Sequence, residues 1–333
     1  RSAMRAELLR AHGADPISYS TLQPGLSYFD TSYGYVAYAR AAGFSLTLGP
    51  PVCAPHDRAA LLEAFFRSAR RPVLFYVPAD VAHLAKALGG FRYRTCPIGI
   101  DKVVALSAPV DADPKVKSAV KKARKAGLRL EEARADALDR ARIAQINAGY
   151  LEKSAVPVEM RFLNRPVSFE DDGLQRTFLL QLDGETLGYA AVDPYFEAGR
   201  PRGYLLNLLR FGKTSLWGVY YAAVAMLAER LRAEGLAELS LGFCPLAGID
   251  AAGSSRLLSA QVQWLARRFA EVPYLERLKE MKDAFPGATP QRYFVGASPL
   301  VASTLLSLLV ACGVPLTPII RAQLKQLKAT PSG

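Results

Sequence analysis

The sequence has 333 residues, half of them hydrophobic, and a formal net charge of +12, enough for one large or two compact domains without covalent stapling. Cys53, Cys96, Cys244 and Cys312 lie far apart with no CxxC pair, and His12, His56 and His83 stand singly. This excludes a spaced metal-ligand set and points to a reducing cytoplasm, with no metal and no cofactor expected. The excess charge favours polyanionic partners, nucleic acid or an anionic membrane leaflet, without choosing between them.

Arg1, Arg5, Glu7 and Arg10 interrupt the start, so no signal peptide or entry transmembrane helix is expected. Short β runs at 34–39 and 44–48 precede a helical stretch at 57–70, with Leu61, Leu62, Phe65 and Phe66 on one side. A buried strand at 73–77, a helix near 81–88 and extended segments at 91–96 and 102–106 complete an α/β unit. A joint is expected at 111–114, which divides the chain into an N-terminal domain (1–113), a C-terminal catalytic domain (114–297) and a tail (298–333).

After the joint, residues 115–127 read as a helix with Val116, Val120 and Ala123 on one stripe and Gly127 placed to end it. Lys115, Lys117, Lys121, Lys122, Arg124 and Lys125 make it the densest positive run, either a solvated face or a surface for a polyanion. Strands at 177–182 and 186–192 flank Asp183-Gly184, a pair that tolerates the positive φ of a tight hairpin. A buried strand at 204–209, a helix from about 215 to 234, a strand at 239–243 and a helix at 255–270 follow. This hairpin, strand, helix, strand order suits a GNAT-type acyltransferase core, in which splayed central strands open a slot where acyl donor and acceptor meet.

Gly212-Lys213-Thr214 resembles the end of a P-loop, but Asn207 stands where the upstream glycine belongs, so nucleoside triphosphate binding is discarded. Residues 213–217 also lack the glycine pair that would close backbone N–H groups on a CoA pyrophosphate. Cys244 and His83 read as structural or surface residues rather than as a nucleophile and its base. Arg210 ends an apolar strand ahead of a helix start. It reads either as a fork for a phosphate or developing oxyanion or as a strand-end charge facing water.

Separated segments carry a resemblance to a known family. Gly34-Tyr35-Val36-Ala37-Tyr38 leads to Leu48-Gly49-Pro50-Pro51-Val52. Asn207-Leu208-Leu209-Arg210 is followed by Gly218, and later come Ser240-Leu241-Gly242-Phe243-Cys244-Pro245-Leu246-Ala247-Gly248, Lys282 within 278–285, and Arg292-Tyr293. Together with the basic helix, these resemble the catalytic half of bacterial phosphatidylglycerol lysyltransferase over about residues 30–296. The resemblance implies two GNAT-like domains face to face around a tunnel that receives lipid from one side and aminoacyl-tRNA from the other. The family enzyme also carries a membrane-embedded flippase half, which is not expected within these 333 residues. Two departures stand out: Asn207 and Tyr221 occupy positions where the family carries aspartates.

On this resemblance the chain is expected to move an aminoacyl group from aminoacyl-tRNA to a hydroxyl of a lipid such as phosphatidylglycerol, or to a small hydroxyl or amine acceptor. Arg210, Lys282 and Asn207 are the expected catalytic residues, with Tyr221, Gly218, Arg292 and Asp101 lining the substrate. The six basic residues of 115–125 are assigned to tRNA. Rival readings are an acyltransferase fed by an acyl-carrier thioester and a non-catalytic lipid- or RNA-binding module. The uncharged stretch 297–320, broken by Pro299, Pro315 and Pro318, leaves a helix of ~22 Å against a bilayer core of about 30 Å. It is expected either to lie on the membrane with Arg321, Lys325 and Lys328 at anionic headgroups or to dock on the protein's own core, and the protein is expected to be peripheral at the inner membrane face.

Overall fold

A computed structural model describes residues 1–90, 93–153, 159–249, 273–296, 307–308 and 310–313. The predicted helix at 255–270 and most of the tail lie outside the described residues. The elements run α1 (Ser2–His12), β1 (Ser27–Asp30), β2 (Gly34–Ala41), β3 (Phe44–Thr47), β4 (Val52–Cys53), α2 (Arg58–Ser68), β5 (Pro72–Val77), α3 (Ala79–Gly89) and β6 (Arg94–Ala105). Then come α4 (Pro114–Lys125), β7 (Arg129–Ala133), α5 (Arg140–Leu151), β8 (Arg176–Leu182), β9 (Glu185–Glu197), β10 (Arg200–Phe211), α6 (Val219–Ala233), β11 (Glu238–Pro245), α7 (Pro273–Asp283) and β12 (Gln291–Gly296).

One twelve-stranded sheet orders them β1-β2-β3-β5-β12-β6-β11-β10-β9-β8-β7, with β4 paired to β2. The late strand β12 lies between β5 and β6, antiparallel to both, so the two sequence halves interlock through it. Charge marks the far edge: β7 carries Arg129, Glu131 and Glu132 on an exposed strand, which discourages further pairing. Central β5, with its all-apolar core-facing run, is buried along its whole length.

The predicted hairpin forms with Asp183 at φ 52° and Gly184 at φ 81°, both in the left-handed region that a two-residue turn requires. Its second strand does not stop at Val192. β9 continues through Asp193-Pro194 to Glu197, because Asp193 is fully buried and answered by the guanidinium of Arg165. The described parts of the extended segments expected at 91–96 and 102–106 meet in one strand, β6, from Arg94 to Ala105. Its pairing with β12 shifts register between Gly99 and Pro97, where proline has no N–H to give the ladder. Helix α6 begins at Val219 rather than near Ser215, after Gly218 in a left-handed conformation.

α4 and α6 pack on the sheet through Val116, Val120, Val224, Leu227 and Leu231, which meet Val104, Phe178 and Leu239 from the strands. A second core beneath β3, β5 and β12 includes Leu46, Phe75, Phe162 and Phe294. Cys312, with Leu308 and Ala311, joins this second core, so the described part of the tail docks on the protein itself. Among the described residues no helix is long and apolar enough to cross a membrane.

Candidate active site

The continuous sheet opens between β10 and β11. β10 and β11 pair in parallel only at Gly203–Leu205 with Glu238–Ser240, yet β10 runs on to Phe211 and β11 to Pro245. A bulge on each strand explains the parting. The register of β10 against β9 shifts between Leu206 and Leu208, at Asn207. That of β11 against β6 shifts between Ser240 and Gly242. Each bulge bends its strand away from straight pairing. Gly242 takes φ +75°, and its N–H is accepted by Ser240 Oγ at 3.2 Å, which holds the turn. This is the splay expected of an acyltransferase core.

Lys282, on α7, reaches this opening. Its Nζ donates to the carbonyl of Phe243 at 2.8 Å, and a methyl group added at Gly242 would stand 3.3 Å from Leu205 Cδ1 and 4.0 Å from Lys282 Nζ. The ammonium thus lies beside the point where the strands separate. Lys282 is only 6% exposed, and among the described residues no carboxylate forms an ion pair with it. Burial lowers its pKa, against the pull of Cys244 and Asp101. Among the described residues the hydrogen-bond acceptor of this cation is a neutral carbonyl, which offsets the cost of burying the charge only in part.

Arg210, near the end of β10, is differently placed. Its guanidinium is 4% exposed and forks onto Glu159, with Nη2 to Oε2 at 2.8 Å, while Nη1 also donates to Asn147 Oδ1 at 2.8 Å. The ring of Tyr150 lies 4.8 Å away. Burial opposes the Arg210 charge, but the hydrogen bonds to Glu159 prevail and raise its pKa, and those same bonds hold the Glu159 carboxyl low. With α6 starting at Val219, the helix N-terminus expected close behind Arg210 is displaced further along the chain.

Asn207, at the β10 bulge, spends its amide on the backbone of Arg165: Nδ2 donates to the carbonyl at 2.6 Å and Oδ1 accepts from the N–H at 3.1 Å. Arg165 in turn donates from Nε to Asp193 Oδ2 at 3.0 Å and stands over the ring of Tyr19. Arg292 and Asp101 meet each other directly. Arg292 Nε donates to Asp101 Oδ2 at 2.7 Å and Nη1 to Asp15 Oδ2 at 2.6 Å, while the hydroxyl of Tyr76 donates to Asp101 Oδ1. Burial works against the Arg292 charge, but Asp15 and Asp101 outweigh it and hold its pKa well above the ordinary value.

The sequence matches the family described as "Phosphatidylglycerol lysyltransferase, C-terminal" over residues 5–296. The chain belongs to that family. Among solved structures it is similar to L-PGS from Bacillus licheniformis, with a TM-score of 0.72 and 16% identity over 94% of this chain and 96% of that one. It is likewise similar to the C-terminal domain of a putative lysylphosphatidylglycerol synthetase from Agrobacterium fabrum, with a TM-score of 0.69 and 16% identity over 92% and 95%. FemX follows with a TM-score of 0.57 and 10% identity over 92% and 98%. No curated protein matches the sequence. The fold is therefore the tandem GNAT-like α/β fold, carried by a lysylphosphatidylglycerol synthase-like domain.

The remaining family positions serve packing in this structure. Tyr221 sits in the first turn of α6 with its ring 6.3 Å from that of Phe285. Gly218 has φ +74°, and a Cβ there would meet Ala119 Cβ at 2.7 Å, so the glycine lets α4 and α6 approach. On α4, Val116, Ala119, Val120 and Ala123 are buried and all six basic residues are exposed. Asp113 caps its start by accepting from Lys115 N–H at 2.7 Å, and Arg124 pairs with Glu229 at 2.8 Å. Cys244 is buried, and burial raises its thiol pKa, so it is a poor nucleophile. His83 is exposed on α3. Among the described residues no cluster of His, Cys, Asp and Glu is placed to hold a metal ion.

Asn147 and Arg165 form part of this region without a sequence signal of their own, and Glu159 and Asp193, acidic residues that could meet a cationic aminoacyl group, are each bound to an arginine there. A signal existed for Asp193, because an aspartate in a run as apolar as 189–196 needs a buried cation. Glu159 lies in a loop with no periodic pattern, and only the fold brings it to Arg210.

Proposed function

We propose that this chain transfers an aminoacyl group from aminoacyl-tRNA to a hydroxyl of a membrane lipid such as phosphatidylglycerol, at the opening between β10 and β11. The observation that carries the reading is the buried Lys282 ammonium beside that opening, bonded to a carbonyl and to no carboxylate among the described residues. The donor ester is already activated, so alignment supplies most of the acceleration. The acceptor oxygen attacks the ester carbonyl, and the bond to the tRNA ribose oxygen breaks. The acceptor's proton ends on that ribose oxygen. Lys282 stabilises the negative charge on the carbonyl oxygen between these events.

Arg210 is the second cation of the site in this reading. Because Glu159 holds both of its terminal nitrogens, Arg210 meets a substrate phosphate only in exchange for that carboxylate. Asn207 fixes the Arg165 segment along the wall of the opening. The exposed basic residues of α4 hold the tRNA backbone. A net charge of +12 suits peripheral contact with the anionic surface where the lipid acceptor lies.

The test is direct. Purified protein is mixed with labelled aminoacyl-tRNA and phosphatidylglycerol vesicles, and the lipid is extracted. Label should enter the lipid, RNase should stop it, and transfer should weaken steeply with salt. Label arriving from an acyl-carrier thioester with indifference to RNase would replace the tRNA donor. Label in a small soluble product would replace the lipid acceptor, and no transfer at all would leave a binding module.

A further inference from the structure

Trp217 is 50% exposed, whereas the other large hydrophobic residues exposed among those described are Leu88 and Val310. It stands in the connection from β10 to α6, just past the strand that carries Asn207 and Arg210. The Lys122 ammonium of α4 lies 4.5 Å from the centre of its ring. Lys121, Lys125 and Lys213 are exposed on the same two segments. No packing need accounts for an indole left in water, since the neighbouring Leu216 and Val219 supply the apolar contacts of this corner.

We propose that Trp217 and Lys122 form a stacking step for an unpaired base at the 3′ end of the RNA donor. This rests on the tRNA donor of the proposed function and names a point where its single strand is gripped. A flat π-face accepts any base, and an adjacent ammonium both polarises that face and meets the flanking phosphate. Lys122 covers one side of the ring, and half of the residue's surface remains open to solvent. The position suits this reading: Trp217 follows the C-terminal end of β10, the stretch of that strand that lies beyond its pairing with β11. Membrane insertion is the weaker reading, because a single exposed indole with an ammonium against its face offers no broad apolar patch to bury.

The experiment uses the full chain and two fluorescein-labelled RNAs, a short single strand ending in the CCA common to tRNA 3′ ends and a duplex of equal length. Trp217→Ala should weaken the single strand about tenfold, the scale of losing one stacked base, and leave the duplex unchanged. Trp217→Phe should recover most of the loss, and Lys122→Gln should show a smaller one. Sedimentation with phosphatidylglycerol–phosphatidylcholine vesicles should be the same for wild type and Trp217→Ala. Equal single-strand affinity in Trp217→Ala, with the wild type active on aminoacyl-tRNA, would overturn the stacking step alone. Loss of vesicle binding with RNA binding intact would make Trp217 a membrane contact instead. A wild type that neither binds RNA nor transfers from tRNA would remove the donor itself, and this inference with it.

Discussion

Two seams of the same sheet, with the β6–β11 pairing between them, treat buried charge in opposite ways. Where β12 meets β6, the antiparallel ladder runs from Gln291 to Gly296 and Arg292 finds Asp101 and Asp15, with Tyr76 completing Asp101. Every charge there has an answer. Where β10 meets β11, pairing ends after Leu205 and Ser240, and the buried Lys282 has the Phe243 carbonyl. The difference separates architecture from chemistry. A guanidinium enclosed by two carboxylates locks the halves of the sheet together, whereas an ammonium with no carboxylate in an ion pair among the described residues is, on the proposed function, the group that meets the substrate.

Removing the cation from each seam tests this contrast, and the larger effect on stability belongs to the closed one. Arg292→Ala leaves Asp101 and Asp15 without their cation, which should cost about 3–5 kcal/mol in urea unfolding. A loss under 1 kcal/mol would mean that the network is ornamental. Lys282→Met should do the reverse: transfer falls by about 10²–10³, while stability holds or rises because a buried charge is gone. A variant as active as wild type would return the oxyanion role to Arg210. Arg210→Ala is a poorer test, since it strands Glu159 and Asn147 and confounds folding with turnover.

pH distinguishes the two cations further. Burial lowers the pKa of Lys282 below the ordinary 10.5. Between the lowered folded value and the unfolded one the unfolded chain binds more protons, so stability rises with pH across that window. Below it, the full cost of the buried charge stands. Transfer that needs the ammonium should therefore decline with rising pH before an ordinary lysine would titrate. Lys282→Met should flatten both the stability slope and the alkaline limb of the rate profile. An unchanged slope would place the titrating group elsewhere.

Much of the fold was legible because its elements follow simple periods. The 177–192 hairpin announced itself through Asp183-Gly184, and the basic helix through its Val116, Val120, Ala123 stripe and Gly127. β6 was read as two pieces because Pro97 and Gly99 interrupt its pattern, and only pairing on both sides makes it one strand. The site was less legible. Lys282 and Arg210 could be named from motifs, but not that a loop glutamate would occupy one and a carbonyl the other. Such partners come from sequence separations of 51 and 39 residues, which no local pattern encodes.

Gly218 sharpens the contrast from the packing side, since it is a family position that the structure uses for helix approach. Its left-handed φ disfavours any side chain, and a methyl group would press on Ala119 Cβ at 2.7 Å. Gly218→Ala should cost about 1–3 kcal/mol by overpacking and lower transfer mainly through folded fraction. A pairing of Gly218→Ala with Ala119→Gly should recover part of the stability. Full stability in the single variant, with transfer lost, would instead make Gly218 a substrate contact.

The smallest effect concerns which aminoacyl group is carried. Asn207 and Tyr221 stand where the resemblance places aspartates, and Asp101, Glu159 and Asp193, carboxylates that could otherwise receive a cationic substrate, are each already bound to an arginine: Asp101 to Arg292, Glu159 to Arg210 and Asp193 to Arg165. A charge-assisted hydrogen bond exceeds a neutral one by about 1 kcal/mol, so the missing acid removes roughly a fivefold to tenfold advantage for a lysyl side chain. Neutral donors such as alanyl-, glycyl- or seryl-tRNA should therefore match or exceed lysyl-tRNA. Restoring the acid will not reverse this. Asn207→Asp loses the Nδ2 donor and sets a carboxylate against the Arg165 carbonyl 2.6 Å away, so it should destabilise the bulge rather than create a lysine pocket. Side-by-side assays across aminoacyl-tRNAs decide the matter: lysyl-tRNA as the best donor of the wild type would mean that Glu159 leaves Arg210 to receive it, and Glu159→Gln would then abolish that preference.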